Sequence, residues 1–199
     1  MKKSLIVLAS FLGIASFSYA QVHVQPGVKA GVNVSNVHGN NFDYNPRTSF
    51  HAGGLLHIHL NKTWAIQPEL VFSSQGSKYS NNGIDYRTKL DYLNIPALVQ
   101  FMTESGFRVE TGPQLGFLLS ARSKANEGVN NKVTDQFRSA DLSWALGAGF
   151  LFPSGFGIDA RYNFGITEIA QNASANLRNN VFQVGLFYQF PALKHTDSK

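Results

Sequence analysis

Phe156-Gly157-Ile158-Asp159-Ala160-Arg161-Tyr162-Asn163-Phe164-Gly165-Ile166 separates into two rows when it is read in steps of two. Phe156, Ile158, Ala160, Tyr162, Phe164 and Ile166 form an apolar row, while Gly157, Asp159, Arg161, Asn163 and Gly165 carry glycine, charge and amide. Successive side chains of a strand point to opposite faces, so a period of two predicts a β-strand with one face of each kind. Trp64, Ile66, Pro68, Leu70 and Phe72 alternate in the same way with Ala65, Gln67, Glu69, Val71 and Ser73. The split recurs over about 28–35, 48–60, 63–74, 88–102, 107–121, 139–152, 156–166 and 180–190. These segments predict an all-β fold of eight strands. The fourth is the least regular, because Tyr92 and Leu98 interrupt its polar row.

The connections alternate as well. Segments 36–47, 75–87, 122–138 and 167–179 are long and rich in Asn, Gly and Ser, and tight turns fall at Asn61-Lys62, Thr103 to Gly106 and Pro153 to Gly155. Short turns at one end and long loops at the other describe an antiparallel up-and-down barrel of the outer-membrane type. With both termini at the short-turn end, the four long segments are expected to face outside. Nothing in the chain reads as a second domain or a linker.

Alternation also fits a soluble barrel, so volume has to decide the sidedness. On this register the apolar row carries fifteen aromatic rings and no charge, with Thr111 as its one polar side chain. The other row carries Gly31, Gly53, Gly112, Gly116, Gly147, Gly149, Gly157, Gly165 and Gly185. Eight strands enclose a space just wide enough to be filled by side chains. Rings do not fit there; glycines and a few polar groups do. The bulky row therefore faces outward, and an uncharged outward face is at home in lipid, where a charge costs roughly 2–4 kcal/mol at the midplane. Trp64, Phe101, Phe107, Phe152, Phe156 and Phe190 lie beside the tight turns, and Phe50, Phe72, Phe117, Phe164 and Phe182 lie nearer the long loops. Their places suit two interfacial aromatic girdles.

Composition agrees. Charged residues make up only 15% of 199, aromatics make up 13%, and there is no cysteine. No disulfide framework, thiolate metal site or thiol nucleophile is available. Met1-Lys2-Lys3, the apolar run from Leu5 to Phe17 and Ser18-Tyr19-Ala20 have the anatomy of a signal peptide cut after residue 20. Removing Lys2 and Lys3 lowers the formal charge from +5 to +3, which dissolves the apparent basic character. The expected organisation is a signal peptide at 1–20, a barrel at 21–190 and a short tail at 191–199.

The polar row carries Lys29, Glu69, Arg108, Glu110, Asp159 and Arg161, most of them two to six residues into their strands from the tight-turn end. They are expected to form a lumenal ion-pair network that fills and plugs the barrel, since an unpaired charge in so narrow a space is costly. The alternative is a narrow gated path for ions or small solutes through the same groups. His51, His57 and His59 share one face, with Glu69 as their only obvious companion, so hydrogen bonding is expected of them rather than metal binding. Hydrolysis would need a nucleophile, a base and an orienting group. The only loose candidates are Asp43, Ser49 and His51, and there is no Gly-x-Ser-x-Gly elbow. No enzyme activity, cofactor or metal is expected, and no nucleic-acid partner. The Tyr-, Asn- and Gly-bearing loops, with Tyr44, Tyr79 and Tyr86, are the remaining surface for recognition.

Ile66-Gln67-Pro68-Glu69-Leu70, Leu93-Asn94-Ile95-Pro96, Gly112-Pro113-Gln114-Leu115-Gly116, Ala160-Arg161-Tyr162-Asn163-Phe164-Gly165 and Gly185-Leu186-Phe187-Tyr188-Gln189-Phe190 together resemble the PorT/porin-like family of small outer-membrane β-barrels. The resemblance implies an eight-stranded barrel in the bacterial outer membrane, surrounded by its lipid and inserted by the outer-membrane assembly machinery. Phe190 resembles the usual C-terminal insertion signal, although Pro191 to Lys199 follow it. It also brings in two roles, diffusion and an accessory part in protein secretion, neither of which a fold alone transfers.

Overall fold

The computed structural model describes residues 23–38, 45–81, 84–125, 128, 131–171 and 177–192. The expected signal peptide, most of the tail, Tyr44 and Asp43 lie outside these residues. Eight long strands make the wall: β1 (Val24–His38), β2 (Asn45–His59), β3 (Trp64–Asn81), β4 (Ile84–Met102), β5 (Phe107–Ala125), β7 (Ala140–Leu151), β8 (Phe156–Gly165) and β9 (Arg178–Gln189). A two-residue strand, β6 (Asn131–Lys132), and a 3-10 turn, η1 (Thr134–Gln136), lie between β5 and β7.

All strand neighbours are antiparallel, in the order β4-β3-β2-β1-β9-β8-β7-β5, and β4 pairs with β5 to close the ring. Closure leaves no unpaired edge in the wall, a condition for a sheet that meets lipid. The tight turns take the expected residues. Asn61 Oδ1 accepts the backbone N–H groups of Thr63 and Trp64 at 2.8 Å each. Gly106 and Gly155 have φ of 99° and 87°, a left-handed conformation that a side chain would strain.

The two rows face as volume demanded. Leu186 is 63% exposed, Phe156 60% and Phe50 56%, whereas Lys29, Glu69, Arg108, Glu110 and Arg161 are buried. An apolar band with this much exposure far exceeds the isolated patches of soluble monomers.

Three of the expected loops are shorter than read. Within the expected loop 75–87, residues 75–81 continue β3 and residues 84–87 begin β4, paired from Gln75↔Leu90 out to Asn81↔Ile84. In 122–138, β5 runs on to Ala125 and pairs with β6 before η1 turns the chain. β1 and β2 likewise reach His38 and Asn45, inside the expected 36–47. Beyond the membrane the outward face of the sheet no longer meets lipid, so the apolar alternation that betrays a strand fades while the backbone ladder continues.

The outer mouth of the lumen is apolar. Val37, Leu90, Tyr92, Ala121 and Ile169 form a buried cluster, and Leu118, Val133, Phe137 and Leu177 pack on it. Segments from two outer connections are tied there: Phe137 bridges Ala170, Arg138 Nε donates to the Ala170 carbonyl at 3.2 Å, and Thr134 Oγ1 accepts the Ala121 N–H at 3.1 Å. The residues that break the fourth strand's polar row thus serve this cap and the lumen: Tyr92 joins the cap and Leu98 is fully buried.

Candidate functional site

Five of the six lumenal charges meet in one cluster. Arg161 on β8 donates Nη1 and Nη2 to the two carboxylate oxygens of Glu69 on β3, at 2.9 and 2.8 Å, and Nε to Glu110 at 2.7 Å. Lys29 Nζ reaches Asp159 at 2.8 Å and Glu69 at 3.5 Å. Gln67 and Gln100 add amide donors to Glu69 and Glu110, at 2.8 and 2.7 Å. Five of the six carboxylate oxygens accept at least one of these bonds, Asp159 Oδ1 being without a partner among the described residues, and such pairing is what allows charges to sit without bulk water.

The register explains the geometry. Arg161 and Glu110 both pair with Gly147 from opposite sides, so the two side chains lean over a residue that has none. A Cβ at Gly147 would stand 2.9 Å from Glu110 Oε1. Two residues nearer the tight turns, Arg108 and Asp159 flank Gly149 in the same way. There the charges do not meet: Asp159 turns to Lys29, and Arg108 lies with its guanidinium carbon 5.4 Å from the Phe187 ring centroid. Arg108 Nε and Nη1 have no hydrogen-bond partner among the described residues. Of the six residues expected in the ion-pair network, Arg108 stands apart, because the Phe187 ring offers the cation a face and not an acceptor. The void bordered by Lys29, Arg108, Glu110, Asp159, Gln100 and Phe187 measures ≈ 10 Å³, the space of about one water.

Between this cluster and the apolar cap lies an amide and hydroxyl layer that the sequence reading did not foresee. Asn33 Nδ2 donates to Ser73 Oγ at 3.0 Å and to the Ser74 carbonyl at 2.8 Å. Its Oδ1 accepts from His51 Nδ1 at 2.7 Å and from Gln183 Nε2 at 2.9 Å. Asn163 donates to Gln183 at 2.9 Å, and Asn179 donates to Gln75. The signal was present for Asn33, Ser73, Asn163 and Gln183, which stand in polar rows but as neutral side chains were not counted with the charges, whereas Gln75 and Asn179 fell in segments read as loops.

The histidines are inward, as read. His51 is held by Asn33, and His57 donates from Nδ1 to Gln67 Oε1 at 3.2 Å. His57 and His59 stack edge to face at 4.5 Å. No group of three potential metal ligands assembles among the described residues. His51 is buried beside Gly31, and Ser49 donates to the Ser74 carbonyl at 2.6 Å instead of to an imidazole. The loose hydrolytic trio therefore does not come together at Ser49 and His51.

The proposed girdle residues are outward and exposed, with Phe72 half-buried. Trp64 and Phe101 pair across β3 and β4 with ring centroids 5.3 Å apart, and Phe50 and Phe72 lie 5.8 Å apart nearer the long connections. The one polar side chain of the outer row is satisfied in place. Thr111 Oγ1 donates to the Ala145 carbonyl at 3.0 Å and accepts the Trp144 indole N–H at 2.9 Å.

Comparison with known proteins agrees with this geometry. No curated protein is detectably similar in sequence. The structure of Neisserial surface protein A (NspA) is similar at a TM-score of 0.58 and 15% identity, covering 83% of this chain and 97% of that one. Ail, the attachment invasion locus protein of Yersinia pestis, is similar at 0.51 and 16%, covering 84% and 99%. Both likenesses are of fold. Residues 19–171 match the family described as "Outer membrane protein beta-barrel domain", so the chain belongs to that family of bacterial outer-membrane barrels.

Proposed function

We propose that this barrel is a non-enzymatic, non-conducting surface protein whose work is done by its external rim and loops. The observation that supports the reading is the double closure of the lumen. The Arg161, Glu69, Glu110 and Lys29 cluster crosses its inner half, and the cap around Ile169 fills its outer mouth. Passage of a solute would require breaking paired charges in a confined space, and the barrier to doing so is high. The absence of a nucleophile–base contact at Ser49 and His51 supports the non-enzymatic part. The two similar structures, a surface protein and an attachment invasion locus protein, are in line with an outward-directed role.

Planar-bilayer recording of the purified chain tests the reading. Silence at moderate voltage is expected, and stable single-channel steps would replace it with the narrow-pore alternative. Co-purification of secretion components from native membranes would give the rim a partner of the kind the PorT resemblance suggests.

A further inference from the structure

Six cations share the outward face of the sheet that β3, β4, β5 and β6 raise above the aromatic girdle. Lys78 pairs with Arg87, and Arg87 with Lys124, which makes one row across three strands. Lys89 pairs with Arg122, and Arg122 with Lys132, which makes a second row directly beneath. The rows face out because the row between them and the girdle on the other parity, Gln75, Leu90 and Ala121, is buried inside. Like charges directly opposite on neighbouring strands destabilise a sheet. Here each row puts three side by side. Among the described residues, the ion pairs of these six amount to one, Lys89 with Asp91 at 3.0 Å. Asp85 lies farther out on the hairpin, opposite Ser80.

The height of the rows is set by register. Phe72, Leu93 and Phe117 are aligned as an outward apolar row on β3, β4 and β5. Lys89 precedes Leu93 by four residues, about 13 Å along a strand and roughly 10 Å of height at the usual barrel tilt. That is where the charged groups of the outer leaflet begin, and a cation cluster flanking an apolar band is the sequence-readable form of anionic-lipid recognition. Arg87 and Arg122 add planar forks suited to phosphate oxygens.

We infer that these two rows bind the phosphate groups of a phosphorylated outer-leaflet glycolipid, whose anions relieve the cross-strand repulsion and fix the β3–β4 hairpin against the membrane surface. The site is separate from the lumen, so it stands or falls independently of the conductance result.

The test is native mass spectrometry of the folded chain from neutral detergent with four probes: bisphosphorylated lipid A, the same lipid without its phosphates, inorganic phosphate and a sulfated polysaccharide. Retained lipid A adducts are expected, together with loss of those adducts on dephosphorylation and no comparable retention of inorganic phosphate. Each cation near a membrane surface contributes roughly a fivefold preference, so R87Q together with R122Q should reduce lipid A retention about thirtyfold. K62Q, in a tight turn at the opposite end, should leave it unchanged. Heat-modifiable gel migration reports whether the double variant is folded; if it is not, the phosphate dependence of the unsubstituted chain decides. Equal retention of the dephosphorylated lipid overturns the proposal. So does inorganic phosphate retained as well as lipid A, which would make the ligand a soluble anion. A sulfated polysaccharide held more tightly than lipid A would overturn it in favour of an extracellular polyanion.

Discussion

Arg161 and Glu69 face each other across the full width of the barrel. β8 and β3 are four strands apart in either direction around a ring of eight, and the two side chains still close a two-point ion pair at 2.8 and 2.9 Å. The pair is a strut across the lumen, and Glu110, Lys29 and Gln67 brace its two ends.

Removing one end of this strut leaves the other as an uncompensated buried charge. Glu69→Ala should destabilise the folded barrel by about 3–5 kcal/mol. Arg161→Met should cost a similar amount, and the double substitution less than the sum, because the second change removes the orphan left by the first. Urea titration in detergent micelles, followed by Trp64 and Trp144 fluorescence, measures all three.

Arg108 offers the contrast within the same lumen. Its guanidinium has a ring face beneath it and unpartnered Nε and Nη1 atoms, where that of Arg161 has three charged acceptor contacts. Arg108→Met keeps most of the contact with Phe187 and removes those orphaned donors. Its cost should be smaller than that of Arg161→Met by at least about 2 kcal/mol, the difference between an ion-paired and an unpaired buried cation. Equal losses in the same titration would show that charge balance, and not the specific strut, holds the lumen together.

Two glycines of β1 and β2 separate space from propensity. A Cβ at Gly31 would lie 2.3 Å from the Val184 carbonyl oxygen, 2.5 Å from Gly185 Cα and 2.7 Å from His51 Cε1. Two of these are backbone atoms of β9, so Gly31→Ala must part the seam where the first strand meets the last. The upper end of the overpacking range, about 3 kcal/mol, is expected, with loss of heat-modifiable migration. At Gly54 the nearest atom is 3.7 Å away, and Gly54→Ala should be neutral or stabilising by up to about 1 kcal/mol.

The wall and its sidedness were legible in the sequence because lipid enforces a strict period of two, as at Phe156 to Ile166. Charges on that period, such as Lys29 and Glu69, could be placed in the lumen without a structure. Which carboxylate meets which cation could not, since that depends on the register around the ring and on Gly147 and Gly149 making room. The cap was hidden for another reason. Ile169 and Leu177 sit singly in an Asn- and Ser-rich stretch, and a lone apolar residue in a loop carries no periodicity. The basic rows were hidden because Lys124 is 37 residues from Arg87 and 46 from Lys78, and the three become neighbours only through pairing.

Depth along the outward face should set the cost of a charge. Leu146, on a row with Tyr162 and Thr111, lies well between the girdles, and Leu146→Arg should cost about 2–4 kcal/mol in lipid vesicles. Leu119, beyond Phe117 and near the basic rows, should accept arginine for about 0–1 kcal/mol. Equal costs at the two positions, measured by unfolding titrations in the same vesicles, would argue against a bilayer centred between the girdles.

Topology in the cell is open to a direct measurement. Lys132 is exposed on β6 at the outer end, and Lys62 lies in the turn between β2 and β3 at the other. Trypsin added to intact cells should cut within the connection from Lys124 to Arg138 and leave the peptide bond after Lys62 whole. Permeabilising the outer membrane should expose Lys62 without changing the first cut. The strands between the two sites hold the fragments together through the closed ladder, so the nicked barrel should still run as a folded species until it is boiled. Cleavage after Lys62 in intact cells would invert the barrel, and with it the assignment of the basic rows to the outer leaflet.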